Sequence, residues 1–323
     1  MTQYDVLGIG NAIVDVLAKA DDDFLTKNSI EKGAMTLIDA GQADALYAKM
    51  APGVEVSGGS AANTMAGVAS LGGKGAYIGK VANDQLGGVF THDIRAGGLA
   101  FTTKPLDGGA PTARCLILVT PDAQRTMNTF LGACVELGPD DIDEALVAAS
   151  KVTYLEGYLF DPPHAKEAFY KAAKVAHQAG QKVALTLSDG FCVGRHRAAF
   201  LDLVEGHIDL LFANESEITS LYEVESFDEA VKHVKGHCEI AALTRSEKGS
   251  VIVSGDEVVE VPAAPIDKLI DTTGAGDLYA AGFLYGYTHG KGLAEAGRIA
   301  SIAAAEVIQH YGARPETVLA SLI

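Results

Sequence analysis

Short apolar runs recur along the chain, each followed by a longer stretch in which apolar residues return every three or four positions. The runs are Tyr4 to Gly8, Gly75 to Val81, Val152 to Leu155, Val183 to Leu187, Ile208 to Phe212 and Ile240 to Thr244. Unbroken apolar character marks strands covered on both faces, the condition of a parallel sheet. The intervening periodicity predicts helices over Ala61 to Leu71, Leu86 to Ala96, Pro139 to Ala149, His164 to Ala179 and Phe227 to Lys235. Alternating strand and helix predicts an α/β fold, a doubly wound and mainly parallel sheet with helices on both faces.

Two stretches break the rhythm. Residues of about 14–56 and about 102–132 hold β-prone pieces, among them Thr36 to Ile38 and Arg114 to Val119, without the crossover helix that should follow. They read either as a small separate β-sheet forming a lid or as long excursions of the main sheet. Near the end, Ser250 to Val253 and Glu257 to Val261 flank Ser254-Gly255-Asp256, a hairpin signal. No repeat, low-complexity tract or Pro/Ser-rich linker divides the chain, so residues 1–323 read as one domain.

Composition narrows the partners. The 323 residues are 48% hydrophobic and 21% charged, which excludes disorder, and 25 Lys and Arg against 42 Asp and Glu leave a net charge of −17. Such a surface repels nucleic acid and anionic membranes, so neither is an expected partner. An anionic small molecule is still allowed if its charge is met locally by backbone N–H groups, a metal ion or a few placed cations. Cys115, Cys134, Cys192 and Cys238 are widely spaced, without a C-x-x-C pair, and read as reduced thiols. Met1 to Gly10 lack a basic segment followed by a long apolar run, and no apolar stretch reaches the about 20 residues that span a bilayer. The expectation is a cytoplasmic protein.

The most informative segment is Asp271-Thr272-Thr273-Gly274-Ala275-Gly276-Asp277, a glycine-rich turn at the start of a helix. The N–H groups of Gly274, Ala275 and Gly276 lack intrahelical partners there and sit at the positive end of the helix dipole, which predicts an anion site. Asp277, in the same first turn, is placed to accept a proton from a hydroxyl held beside that anion. A base next to N–H groups that meet the charge of a moving phosphoryl group is the equipment of phosphoryl transfer. Taken alone, the turn also reads as a capped helix start.

A second glycine-rich turn, Ser57-Gly58-Gly59-Ser60-Ala61-Ala62-Asn63, also opens a helix and offers the Ser60 hydroxyl and the Asn63 amide to a sugar. Gly8-Ile9-Gly10-Asn11 begins like a dinucleotide fingerprint, but Ile13 stands where the last glycine is required, so that reading fails. Asn11 and Asp15 instead leave the carboxyl end of the first strand, where open α/β sheets bind ligands. No G-x-x-x-x-G-K-[ST] occurs, which excludes a P-loop. Asn214 and Glu217 read as a helix N-cap with its capping-box partner, or as groups near a hydrated Mg²⁺. Tyr158 reads either as a core residue or as a stacking partner for a base.

In order along nearly the whole chain, these segments resemble the ribokinase/PfkB family of carbohydrate and nucleoside kinases. Gly58 to Asn63, with Leu71-Gly72-Gly73, Gly79 and Asp84-Gln85-Leu86-Gly87, resembles the amino-terminal signature, and Asp271 to Asp277 the carboxyl-terminal one. The resemblance implies a ribokinase-like fold with a small lid sheet and an ATP-dependent reaction. It implies Asp277 as catalytic base and Gly274, Ala275 and Gly276 as anion hole. Asn214 and Glu217 match an N-x-x-E motif that organises Mg²⁺ and phosphates through water. Thr244 and Gly249 match a T-x-G-x-x-G nucleotide loop in which Ser246 replaces a glycine. Many members also use K⁺ beside the anion hole, which implies Asp271, Thr273 and Gly312 to Pro315 as its neighbourhood.

Within the family, Gly10-Asn11-x-x-x-Asp15, the Gly-Gly-Ser-x-x-Asn turn and Arg125 ahead of Asn128 to Ala133 look most like bacterial-type adenosine kinases. That implies Asn11, Asp15, Gly59, Ser60 and Asn63 around a ribose, Tyr158 near the purine, and Arg125 closing over the transferring phosphoryl. Two rivals remain: a sugar kinase of the ribokinase or fructokinase type, and a non-catalytic nucleoside- or sugar-binding protein. Monomer and homodimer are both left open.

Overall fold

The structure is a computed structural model that describes residues 2–122, 124–160 and 162–323. Its strands are Tyr4–Ile9 (β1), Ile13–Lys19 (β2), Met35–Leu37 (β3), Val54–Gly58 (β4), Gly75–Ile78 (β5), Ala100–Phe101 (β6), Ala113–Val119 (β7) and Arg125–Phe130 (β8). They continue with Ser150–Glu156 (β9), Lys182–Thr186 (β10), Leu210–Asn214 (β11), Ile240–Thr244 (β12), Ser250–Ser254 (β13) and Glu257–Val261 (β14). Nine strands form the main sheet in the order β14-β13-β12-β11-β10-β9-β1-β5-β6, all parallel in direction except β13, which pairs antiparallel with both β12 and β14. Five form a second sheet in the order β3-β8-β7-β2-β4.

The apolar runs conceal a period of two. Leu7, Leu155, Leu185 and Leu211 lie in the core on one face of the main sheet, while their neighbours Val6, Tyr154, Ala184 and Leu210 lie in the core on the other. Pro163–Gln178 and Gly190–Gly206 cover the first face; Ser60–Ser70, Ala275–Thr288 and Leu293–Val307 cover the second. Because both faces are buried, both are mostly apolar, and the strands read as nearly continuous apolar sequence.

The β1 strand is the switch point. Connections run from it outward to β5 and β6 on one side and to β9 and beyond on the other. Such a reversal opens a crevice at the carboxyl ends of the strands. Three residues separate β1 from β2, so the second sheet is rooted at that crevice. Its other root is fixed by Asp84, whose Oδ2 accepts from the Thr112 N–H at 2.8 Å and whose Oδ1 accepts from the Thr112 hydroxyl at 2.6 Å.

The two excursions pair with each other, not with the main sheet. The strands of the five-stranded sheet come from residues 13–58 and 113–130, and Leu106 bridges instead to Ala82. One expected helix is interrupted: Pro139–Asp141 is a 3-10 turn, and Asp143 then caps a separate helix, Glu144–Ala148, by accepting from the Leu146 N–H at 3.1 Å. Gly190–Gly206 escapes periodicity because glycines interrupt its pattern and the helix is kinked at His196.

Ala275–Thr288 packs backbone to backbone on Leu293–Val307. A Cβ at Gly282 would stand 2.6 Å from Ala300 Cα and 2.8 Å from the Ile299 carbonyl oxygen. Gly282→Val should therefore cost about 3 kcal/mol, the upper end for overpacking, read as a lower urea midpoint at unchanged slope. An unchanged midpoint would contradict this packing.

Candidate active site

Two helix N-termini meet at one carboxylate. Ser60–Ser70 starts after Gly59, whose φ of +96° and whose 2.3 Å approach of a would-be Cβ to the Asn11 carbonyl oxygen leave no room for a side chain. Ala275–Thr288 starts after Gly274, with a φ of +81° and Ala313 packed against it. From the second helix, Asp277 Oδ1 accepts from the Ser60 hydroxyl at 2.6 Å and Oδ2 from Asn63 Nδ2 at 3.1 Å. Burial pushes Asp277 up to about 6 although both donors favour its charged form, so at pH 7 it is mostly carboxylate.

The N–H groups of Gly274, Gly276 and Asp277 have no hydrogen-bond partner among the described residues, and a Cβ at Gly276 would meet nothing within 4 Å. The space before this helix is therefore open and lined by unpaired donors, the makings of an anion site. Ala275 differs from the expectation. Its N–H donates to the Thr272 carbonyl at 3.2 Å, so the Asp277 N–H takes its place among the donors on offer.

Asp15 lies on the β2 strand facing this point. Burial raises it to about 6, opposed by Arg125 and Arg314 and aided by Asp277. Arg125 crosses from β8 to pair with Asp271, whose Oδ1 also accepts from the Thr273 N–H at 3.0 Å and hydroxyl at 2.6 Å, and whose Oδ2 accepts from the Gly312 N–H at 3.3 Å. Burial works to raise Asp271, but these donors and Arg125 outweigh it and hold its pKa low. With both oxygens engaged, Asp271 and Thr273 fit poorly as ligands for K⁺. Arg125 Nε remains buried without a partner.

Asn11 is held by a protein partner through its amide nitrogen. It is buried, and its Nδ2 donates to Glu156 Oε1 at 2.7 Å. Glu156, at the carboxyl end of β9 and 1% exposed, also accepts from the N–H groups of Asn11 at 3.3 Å and Ala61 at 2.8 Å. Burial lifts it to about 7 against those three donors. It ties the end of β1 to the start of the Ser60 helix, and sequence reasoning passed over it; an acid directly closing the apolar run Val152 to Leu155 was the available signal. Arg314 lies in the segment Gly312 to Pro315 that the resemblance set beside the anion hole, but its contacts were not foreseen. Its Nε donates to Asn63 Oδ1 at 3.3 Å and its Nη1 to the Ser57 hydroxyl at 2.6 Å.

Asn214 and Glu217 form the capping box: the Asn214 N–H and Nδ2 donate to Glu217 at 3.0 and 2.6 Å, and the Glu217 N–H returns to Asn214 Oδ1 at 2.9 Å. Burial raises Glu217 to about 7. A cleft of about 740 Å³ beside them is lined by Asn214, Thr244, Arg245, Ser246 and Phe227, with the Arg245 guanidinium 4.2 Å from the Phe227 ring centre. Ser246 has a φ of +51°, in the left-handed region that favours glycine. Gly249 is shaped by packing: a Cβ there would reach 2.1 Å from the Val261 carbonyl oxygen.

Tyr158 is 37% exposed, which removes the core reading. Burial of the rest of the side chain, with Asp189, Asp277 and Glu217 nearby, pushes its hydroxyl far above the ordinary tyrosine range. Those neighbours set it on the β10–β11 side of Asp277.

The inner face of the small sheet supplies an apolar wall. Strand register puts Val56, Cys115 and Thr129 on the same face as Asp15, and two positions along come Leu17, Ile117 and Met127. The opposite face is spent on Leu25, Ala43 and Leu46. Sequence alone did not separate the two faces.

Comparison with known proteins adds one family match and three relatives. A family model described as pfkB family carbohydrate kinase matches residues 36–318. The solved structure of adenosine kinase from Sinorhizobium meliloti is 58% identical, covering 99% of this chain and 98% of that one, with a TM-score of 0.92. A probable sugar kinase protein from Rhizobium etli is 55% identical over 100% and 98%, with a TM-score of 0.93, and adenosine kinase of Saccharomyces cerevisiae is 28% identical over 94% of each chain.

Replacing Glu156 tests the frame beneath the site. Glu156→Ala leaves three buried donors without an acceptor at about 1–3 kcal/mol each, so a stability loss of about 3 kcal/mol or more in urea melts is expected. A loss below about 1 kcal/mol would show that this carboxylate does not hold β1 to the helix.

Proposed function

The chain belongs to the pfkB carbohydrate kinase family, and on that premise we propose the reaction in detail: transfer of the γ-phosphoryl group of ATP to the 5′-hydroxyl of adenosine, giving AMP and ADP. The observation that carries it is the Asp277 carboxylate, held by Ser60 and Asn63 at the meeting point of two helix N-termini. Asp277 takes the hydroxyl proton as the oxygen attacks phosphorus, the new O–P bond forms, and the bond from phosphorus to the bridging oxygen of ADP breaks in line. The unpaired N–H groups of Gly274, Gly276 and Asp277, with Arg125 Nε, meet the charge on the moving group.

Asp15 accepts the vicinal ribose hydroxyls, and the nucleotide occupies the cleft beside Thr244. Magnesium arrives with ATP as part of that substrate. The described residues hold no cluster of three potential metal ligands, and both Glu217 oxygens are already taken by Asn214, so Glu217 reaches the ion only through water. The ion neutralises phosphate charge. The small sheet serves as a lid that keeps water, the competing acceptor, from the phosphoryl group. A cytoplasmic setting agrees with an ATP-dependent reaction and with four cysteines in no disulfide.

Adenosine is favoured over a free sugar because the apolar wall begins two residues from Asp15, where a purine attached to the held ribose would lie. The second reading, a sugar kinase, is supported by the Rhizobium etli relative and by the chemistry of the Asp15 carboxylate, which can accept from any vicinal diol. An ADP-release assay across adenosine, inosine, ribose and fructose separates them. Adenosine should give the highest kcat/KM; ribose or fructose in first place would overturn the choice. In the same assay Asp277→Asn should lower kcat by about 10²–10⁴ while leaving adenosine binding within a few-fold.

The pH profile has a defined sign. Asp277 and Asp15 both titrate near 6 and both act as carboxylates, so kcat/KM should fall by about ten- to hundredfold per unit as pH drops below that value. A profile flat to about pH 5 would exclude Asp277 as the base.

A further inference from the structure

Asn63 poses a problem that the catalytic scheme leaves open. An amide has nearly the same shape whichever way it is turned, and only one orientation donates to Asp277. While Asp277 is a carboxylate, the donating orientation is favoured. Once the proton has been taken, the reversed amide could accept from the new O–H, and Asp277 would then be stabilised in its spent form.

The orientation is fixed from behind. Arg314 Nε donates to Asn63 Oδ1 at 3.3 Å, so Nδ2 is directed to Asp277 Oδ2 at 3.1 Å. The other arm of the same guanidinium, Nη1, donates to the Ser57 hydroxyl at 2.6 Å on β4 of the small sheet. Ser57 is the register partner of Val14, the residue before Asp15. Resting on the assignment of Asp277 as base, we propose that Arg314 is the positioning residue of this reaction: its fork ties the lid strand to Asn63 and thereby sets the catalytic carboxylate only when the lid is in place.

The segment carrying Arg314 is anchored for such work. The Gly312 N–H donates to Asp271, Ala313 packs on Gly274, and the N–H groups of Glu316 and Thr317 donate to Glu306 Oε1 at 3.0 and 2.7 Å. Arg314 itself is half-buried, with Nη2 lacking a partner among the described residues. A lysine cannot replace it, because one ammonium on a flexible stem does not span two fixed acceptors in a plane.

The decisive experiment compares kcat against pH, with thermal stability, for the wild type, Arg314→Gln, Arg314→Lys, Asn63→Ala and the Arg314→Gln/Asn63→Ala double variant. Asp277 is faced by Asp15 from the small sheet, Tyr154 and Glu156 from β9, and Tyr158 beyond it, and all of these are common to every variant. Arg314→Gln should lower kcat about ten- to hundredfold and move the acidic limb to higher pH. Arg314→Lys should keep the charge yet restore little, and the double variant should be no slower than Asn63→Ala. Multiplying effects in the double variant, full rescue by lysine, or a lower melting temperature with an unmoved limb would each overturn the proposal. Asp277→Asn serves as the reference: if it turns over normally, the base assignment fails, whereas an inactive Asp277→Asn beside a normal Arg314→Gln sinks only the role of Arg314.

Discussion

The site depends on a single contact between distant parts of the chain, the carboxylate of Asp277 received by Ser60 and Asn63 across more than two hundred residues. Each side brings a helix start, and each start is shaped by a glycine whose backbone a side chain would not tolerate. A carboxylate between two positive helix ends is kept charged by them, while burial raises its affinity for a proton to near neutrality. A base must have both properties. It is ionised when the alcohol arrives and basic enough to take the proton when the bond forms.

The electrostatics around that contact explain how a chain of net charge −17 can handle a polyphosphate. Acids dominate the surface as a whole, but at the mouth of the anion site the arginines Arg125 and Arg314 offset Asp15 and Asp271. Unpaired backbone N–H groups supply the remaining positive potential without adding a charge that must be desolvated. Long-range repulsion and local attraction therefore coexist, because the first is set by the sum over the surface and the second by a few groups at short range.

The legible parts of the site are those whose physics is local. Asp271 to Asp277 and Ser57 to Asn63 each place glycine, a helix start and a polar side chain within seven consecutive residues, so their donors and their carboxylate could be read directly. Asn214 and Glu217 were legible as a capping box for the same reason. Glu156 was not, since it matters only through Asn11 and Ala61, 145 and 95 residues away. Asn11 was incompletely read for the mirror reason: its position at the end of β1 was foreseen, but not that its Nδ2 is engaged by Glu156. Arg314 acts on Asn63 from 251 residues away, so although Gly312 to Pro315 was set near the anion hole, no local pattern pairs the two side chains. In the fold, buried parallel strands were plain from their apolar runs, whereas the pairing of the small sheet required registers that no local pattern encodes.

Most of the account stands on where Asp277 lies relative to the alcohol it is held to activate. A crystal structure of the protein with adenosine and a non-hydrolysable ATP analogue measures that directly. The account predicts the 5′-oxygen about 2.6–3.2 Å from an Asp277 carboxylate oxygen, on the line through the terminal phosphorus and its leaving oxygen. An alcohol oxygen seated beyond about 5 Å from Asp277, or off that line, would contradict it.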